Sequence, residues 1–86
     1  MFGESVFIRL LRWSYSRKKM VRGYYSKFPN SVIYFRRIRR FYIIYTLDWD
    51  ERDPIITNED REEMQYLIND VLGRKSEYLK RKSRSM

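Results

Sequence analysis

Hydrophobic residues recur at steps of three and four through the centre of the chain. When residues 31–47 are projected on a helix, the large apolar side chains share one face and the arginines crowd the other. The apolar face holds Tyr34, Ile38, Phe41, Tyr42 and Tyr45, and the basic face holds Arg36, Arg37, Arg39 and Arg40. This period predicts a central helix with an apolar side and a basic side.

A β-strand is the alternative interpretation of the same stretch. Residues 41–47 consist mainly of isoleucine, tyrosine, phenylalanine and threonine, which favour pleated sheets. A period of two would, however, put one member of each adjacent arginine pair, Arg36 and Arg37 or Arg39 and Arg40, on either side of a sheet. We favour the helix because of this arginine spacing.

Two further segments show helical periodicity. Residues 4–19 place Val6, Phe7, Leu10, Leu11 and Trp13 on one broad arc. Residues 59–82 begin with acidic side chains and end with basic ones, as the helix dipole favours, and carry an apolar stripe between. The sequence therefore predicts an all-α, up-down-up three-helix bundle, a single domain over residues 1–86 with a disordered basic tail from residue 83.

Composition narrows the function. The 86 residues carry a formal net charge of +8 and contain neither cysteine nor histidine. Thiol chemistry, zinc sites built from those ligands and the commonest general base are therefore excluded, and the chain does not look like an enzyme. The excess positive charge predicts an acidic partner, which could be nucleic acid, an anionic membrane surface or an acidic protein.

The connection formed by residues 48–58 is acidic. Its carboxylates at Asp48, Asp50 and Asp53 alternate as they do in some calcium loops. The glycine and the terminal glutamate of an EF-hand loop are missing from their places, so we predict no metal site here.

The first predicted helix also resembles a targeting segment. It is basic, apolar and serine-bearing, as mitochondrial transit peptides are, although Glu4 departs from that pattern. A plain amphipathic core helix is the alternative. No apolar run reaches the length of a membrane span, which predicts a soluble or peripheral protein.

Three short signatures resemble the LYR-motif family of small mitochondrial three-helix proteins. Leu10, Leu11 and Arg12 stand where that family has its Leu-Tyr-Arg triplet. Residues 34–41, YFRRIRRF, are similar to its arginine-rich second signature, and residues 59–82 look like its last helix.

The resemblance implies a function as well as a fold. LYR proteins bind the acidic mitochondrial acyl carrier protein and take its acyl chain into their bundle, often as accessory subunits of respiratory complexes. It implies a mitochondrial protein of the matrix or the matrix face of the inner membrane, with no cofactor of its own beyond the partner's acyl-phosphopantetheine. The residues expected to bind the acidic partner are Arg12, Arg36, Arg37, Arg39 and Arg40. Those expected to line the acyl chain, or otherwise to form ordinary core, are Phe7, Leu10, Leu11, Ile38, Phe41 and Leu67.

Two other functions remain open. Clustered arginines with interleaved aromatics suit phosphate contacts and base stacking, as in a small RNA-bound or ribosomal protein. The acidic residues 48–63 would repel phosphates, so an RNA-binding surface would have to lie away from them. A peripheral structural subunit of a respiratory membrane complex, with the first helix on the bilayer, is the third possibility.

Overall fold

The structure is a computed structural model that describes residues 8–84. Four strands form one antiparallel sheet in the order β1-β2-β3-β4, and two helices follow them along the chain. The strands are β1 (Leu10–Tyr15), β2 (Val21–Tyr25), β3 (Phe28–Ile38) and β4 (Phe41–Asp48), and the helices are α1 (Asn58–Val71) and α2 (Lys75–Arg84).

The prediction of an all-α three-helix bundle is therefore wrong. Of the predicted first helix, residues 4–7 lie outside the described part, while residues 10–15 form β1. The predicted central helix is the β3–β4 hairpin, because its β-branched and aromatic side chains pair across the two strands and β3 also pairs with β2. The predicted third helix is present as α1 and α2, and α2 continues to Arg84, into the tail that we expected to be disordered.

β2 shows why these residues form strands. Val21, Gly23 and Tyr25 are buried while the residues between them are half-buried, which is the alternation that a strand gives to its two sides. The rings of Tyr25 and Phe35 lie close over Gly23, so that an added Cβ would be 3.0 Å and 3.1 Å from their ring carbons. Glycine at this position therefore makes room for two core aromatics.

One side of the sheet packs against α1 and forms the core. Ile33 and Phe35 of β3 join the buried residues of β2, and Met64 and Ile68 of α1 cover them. The phenol of Tyr25 crosses this layer and donates a hydrogen bond to the Met64 carbonyl oxygen, 2.8 Å away. We call the opposite side of the sheet, turned away from α1, the open face. The described residues extend only 18 Å along the shortest axis, as expected for a sheet and one helix layer.

Helix α1 also closes the outer edge of β4. The buried amide of Asn69 accepts a hydrogen bond from the Tyr42 N–H at 2.7 Å and donates one to the Tyr42 carbonyl oxygen at 2.9 Å. Gln65 accepts a third bond from the Ile44 N–H at 2.8 Å. Two side-chain amides thus replace a fifth strand, and the edge is protected from pairing with another chain.

The N-terminus of α1 is fixed by Thr57 and Asp60, which form a reciprocal capping box. Lys27, in the β2–β3 turn, forms an ion pair of 2.9 Å with Asp60. Burial alone would raise the pKa of Asp60, but hydrogen bonds from Thr57 and Lys27 outweigh it and the pKa is lowered. Within the described residues, neither helix is long and apolar enough to cross a membrane.

We expect Asn69→Ala to destabilise the fold strongly. The substitution leaves the Tyr42 N–H and carbonyl without partners in a buried place, a loss of about 2–3 kcal/mol. Urea denaturation would measure it. Asp70→Ala, at an exposed neighbouring position, is the matched control and should change stability by less than about 0.5 kcal/mol. Equal losses in the two variants would show that Asn69 does not hold the edge.

The stability of the fold should also fall in alkali. Burial raises the pKa of the Tyr25 phenol above its ordinary value of 10.0. Above about pH 10 the phenol therefore loses its proton in the unfolded chain but keeps it in the folded protein. Each further pH unit then lowers the free energy of unfolding by about 1.4 kcal/mol. Tyr25→Phe should make the decline with pH shallower in denaturation series from neutral to alkaline pH. The same change at the exposed Tyr15 should leave the slope unaltered.

Candidate functional site

Two of the chain reversals lie at the same end of the sheet. The pair Tyr15–Val21 adjoins the β1–β2 turn, and the pair Ile38–Phe41 adjoins the β3–β4 turn. The loop between α1 and α2 reaches this end as well, since Asn69 contacts the first residues of β4. We call it the basic end, and its cations are Arg17, Lys18, Lys19, Arg36, Arg37, Arg39, Arg40, Arg74, Lys80 and Arg81.

A notch is present within the basic end. The register of β2 with β3 stops at Val21–Phe35, whereas β3 runs on to Ile38, so the β3–β4 hairpin projects beyond its neighbour. The projecting hairpin, the β1–β2 turn and the α1–α2 loop enclose the notch. It is lined by Tyr15, Ser16, Lys18, Lys19, Met20, Arg36, Arg37, Tyr42, Tyr45 and Arg74. Five of these are cations and none is a carboxylate, so this concavity suits a ligand with several negative charges.

The acidic segment that follows β4 is held at the other end. Residues 5–47 contain no aspartate or glutamate, whereas residues 48–63 contain eight. Asp53 holds that segment to the start of β3, where its carboxylate accepts hydrogen bonds from Asn30 and from the hydroxyl of Ser31. The ion pair between Asp60 and the β2–β3 turn holds it at the same end. These contacts hold Asp53 and Asp60 away from the notch, whereas Glu62 and Glu77 lie beside Arg81 at the α2 side of the basic end.

The structure places the five predicted arginines on the sheet and at its basic end. Arg36 and Arg37 alternate, with Arg36 on the open face and Arg37 opposite Tyr42 on the α1 side. Our objection to a strand was that alternation would split such pairs. It does split them, but both side chains remain exposed because this part of the hairpin extends past β2. Arg39 and Arg40 form the turn itself, and Arg12 lies on the open face of β1.

The residues expected to line an acyl chain are dispersed. Leu10 and Leu67 pack against the core, and Leu11 is exposed at a bulge in β1. Ile38 and Phe41 lie at the end of the hairpin beside α2. Phe7 lies outside the described residues. No common tunnel joins the described members of this set.

Sequence reasoning missed part of the site. It placed Lys18, Lys19 and Arg22 near the end of the first predicted helix, and it gave no role to Arg74, which lines the notch. The alternation of residues 21–25 carried a further signal that was not used, namely that Tyr24 faces away from the core.

The turns at the basic end contain strained backbone. Lys18, Lys19 and Arg39 have φ of 63°, 64° and 58°, in the left-handed region that glycine and asparagine usually fill. These are the only described non-glycine residues with positive φ, and all three are cations. Such strain persists where the surrounding structure enforces it, and it is concentrated at functional sites.

These features define a class of protein: a small α+β domain with a four-stranded meander, helices packed on one side and a strongly basic end. The family model described as "Uncharacterised protein YuzH" matches residues 9–83, and the chain belongs to this family. No curated protein and no solved structure matches the chain. Membership in the LYR-motif family was wrong, because the family match is a different one and the fold is a sheet.

We expect Arg39→Gly to stabilise the protein while weakening any anion binding. Glycine adopts φ near 58° without steric cost, so the substitution should remove backbone strain and raise the free energy of unfolding by about 1 kcal/mol. Arg40→Gly is the matched control, because Arg40 has no positive φ and should instead lose about 0.5–1 kcal/mol. Thermal unfolding of both variants measures the difference. Losses in both would contradict the assignment of strain to Arg39.

Proposed function

We propose that this chain is a non-enzymatic RNA-binding protein that holds the phosphate backbone at its basic end. The observation that carries the proposal is the cluster of cations that lines the notch. The acidic segment, which would repel phosphates, is tied to the far end through Asp53 and Asp60. Arg81 is paired with Glu62, but no described carboxylate lines the notch, so the notch cations face a polyanion without a competing acidic side chain in its lining.

The notch supports phosphate binding in particular. Lys18, Lys19 and Arg37 are exposed, and they line the notch from the β1–β2 turn and from β3. Arginine presents several N–H donors in a plane to phosphate oxygens, and lysine supplies a compact charge. An acidic protein could meet the same charges, so the test has to separate the two partners.

Replacing notch cations should weaken RNA binding by about tenfold or more. The variant makes fewer phosphate contacts, so its binding releases fewer counterions from the RNA. The test variant combines Lys18→Gln, Lys19→Gln and Arg37→Gln. The matched control combines Arg9→Gln, Arg52→Gln and Arg61→Gln, which removes the same charge away from the notch. Fluorescence anisotropy with a labelled oligoribonucleotide of about 12 nucleotides would report both affinities.

The salt dependence provides a second readout in the same assay. The slope of log affinity against log salt should become shallower by about 2 in the notch variant, since each single-strand phosphate contact contributes about 0.7. If the two triple variants lost affinity equally, net charge alone would explain the effect, and the proposal would be contradicted. Displacement of RNA by poly-glutamate at equal charge concentration would instead indicate an acidic protein as the partner.

A further inference from the structure

The open face carries an array of alternating arginine and tyrosine side chains. Across β1 and β2, Arg12 is paired with Tyr24, and across β2 and β3, Arg22 is paired with Tyr34. Residues paired directly across strands point to the same side of a sheet, and diagonal neighbours are about 7–8 Å apart. Tyr24 follows Arg22 by two residues, next to the register shift of the β2–β3 pairing, so Tyr24 and Tyr34 lie on the same face of adjacent strands, where one short ligand can reach both.

Two arginines of this array already stack on tyrosine rings. The guanidinium carbon of Arg12 is 3.9 Å from the centre of the Tyr24 ring, and that of Arg36 is 5.4 Å from the centre of the Tyr45 ring. Aromatic rings and guanidinium planes are the two protein groups on which unpaired bases stack. Each arginine–tyrosine pair thus offers a flat surface for a base together with a charge for the neighbouring phosphate.

We propose that the open face binds the bases of a single-stranded RNA, with Tyr24 and Tyr34 as stacking residues, while the notch holds its phosphates. This inference rests on the proposed function and specifies the form of RNA. The two surfaces are continuous, because Arg36 and Tyr45 belong to both the notch and the open face. An RNA strand can therefore pass from the notch to the open face while staying in contact with the protein.

Arg22 adds a donor in the middle of the array. Its Nε atom is buried and has no hydrogen-bond acceptor among the described residues. Buried donors in folded proteins are nearly always satisfied, so this one is suited to an acceptor supplied by a ligand. A phosphate or base oxygen lying over the open face meets this need once the Arg22 side chain turns outward.

Single-stranded RNA fits this face better than a duplex does. The rings of Tyr24 and Tyr34 are half-buried in the sheet, so only bases that are unstacked from one another can lie flat on them. Within a duplex the bases already stack on each other.

Ser14, paired with Arg22, and Thr46, paired with Tyr34, put hydroxyl groups on the same face. Hydroxyl groups are suitable partners for the ribose 2′-OH, which favours RNA over DNA.

The test compares oligonucleotides with and without bases and variants with and without rings. Wild-type protein is titrated by anisotropy with a single-stranded oligoribonucleotide, its abasic counterpart, a hairpin duplex and the same sequence as DNA. The double variant Tyr24→Leu/Tyr34→Leu removes both rings, and Tyr24→Phe/Tyr34→Phe keeps them. Tyr66→Leu, on α1 and half-buried, controls for the loss of a tyrosine elsewhere.

We expect the leucine variant to lose at least about tenfold in affinity for the single strand, also at high salt, because stacking releases no counterions. The phenylalanine variant and Tyr66→Leu should bind like the wild type, and the leucine variant should bind the duplex unchanged. Wild-type protein should bind the abasic strand and the DNA strand more weakly than the RNA strand. The comparison among oligonucleotides needs no variant, so it stands even if the leucine variant does not fold.

The possible failures are distinct. Equal affinity for abasic and intact strands, with binding still sensitive to the notch cations, would overturn base stacking and leave the proposed function in place. Equal affinity for RNA and DNA strands would overturn the assignment to RNA. If no oligonucleotide binds at low salt, the proposed function fails, and this inference fails with it.

Discussion

The alternation of side chains along β3 is the constraint on which the rest of the structure depends. β3 pairs with both β2 and β4, and Ile33 and Phe35 are completely buried on its α1 side. A slip of one residue would turn Tyr34 and Arg36 into the core and the apolar side chains out, which fixes the register strongly. The core, the open face and the overhang of the hairpin at the basic end all follow from this one register.

The contacts that complete the fold also arrange its charges. Asn69 and Gln65 bind α1 to the edge of β4, so the helix covers one side of the sheet and leaves the open face. The ion pair of Lys27 with Asp60, together with the hydrogen bonds of Asp53, draws the acidic segment to the far end. Because stability and the position of the acidic segment rest on the same contacts, the basic end is a consequence of the fold.

The start of helix α1 could be predicted from the sequence, because local signals set it. The acidic residues at the start of the predicted 59–82 helix indicated the start of α1. The binding role predicted for the arginines of residues 36–40 stays a prediction. The hairpin was missed because residues 31–47 carry apolar side chains on both sides, which satisfies helical and strand periods alike. Its partner β2 lies between the first two predicted helices and was not predicted as a strand, because the role of Gly23 depends in part on the ring of Phe35 from the next strand. Such nonlocal pairing leaves little trace in a window of sequence.

The basic end combines two costs that a ligand would offset. Cations crowd the notch, and like charges at short distance repel one another. Lys18, Lys19 and Arg39 also hold left-handed backbone, which glycine would adopt more easily at the price of a binding charge. If a polyanion binds here as proposed, it would reduce the repulsion, and because it would bind only when these turns hold their cations together, it would stabilise the folded state by mass action. The contacts at the other end, which are satisfied within the protein, would keep these turns in place without the ligand.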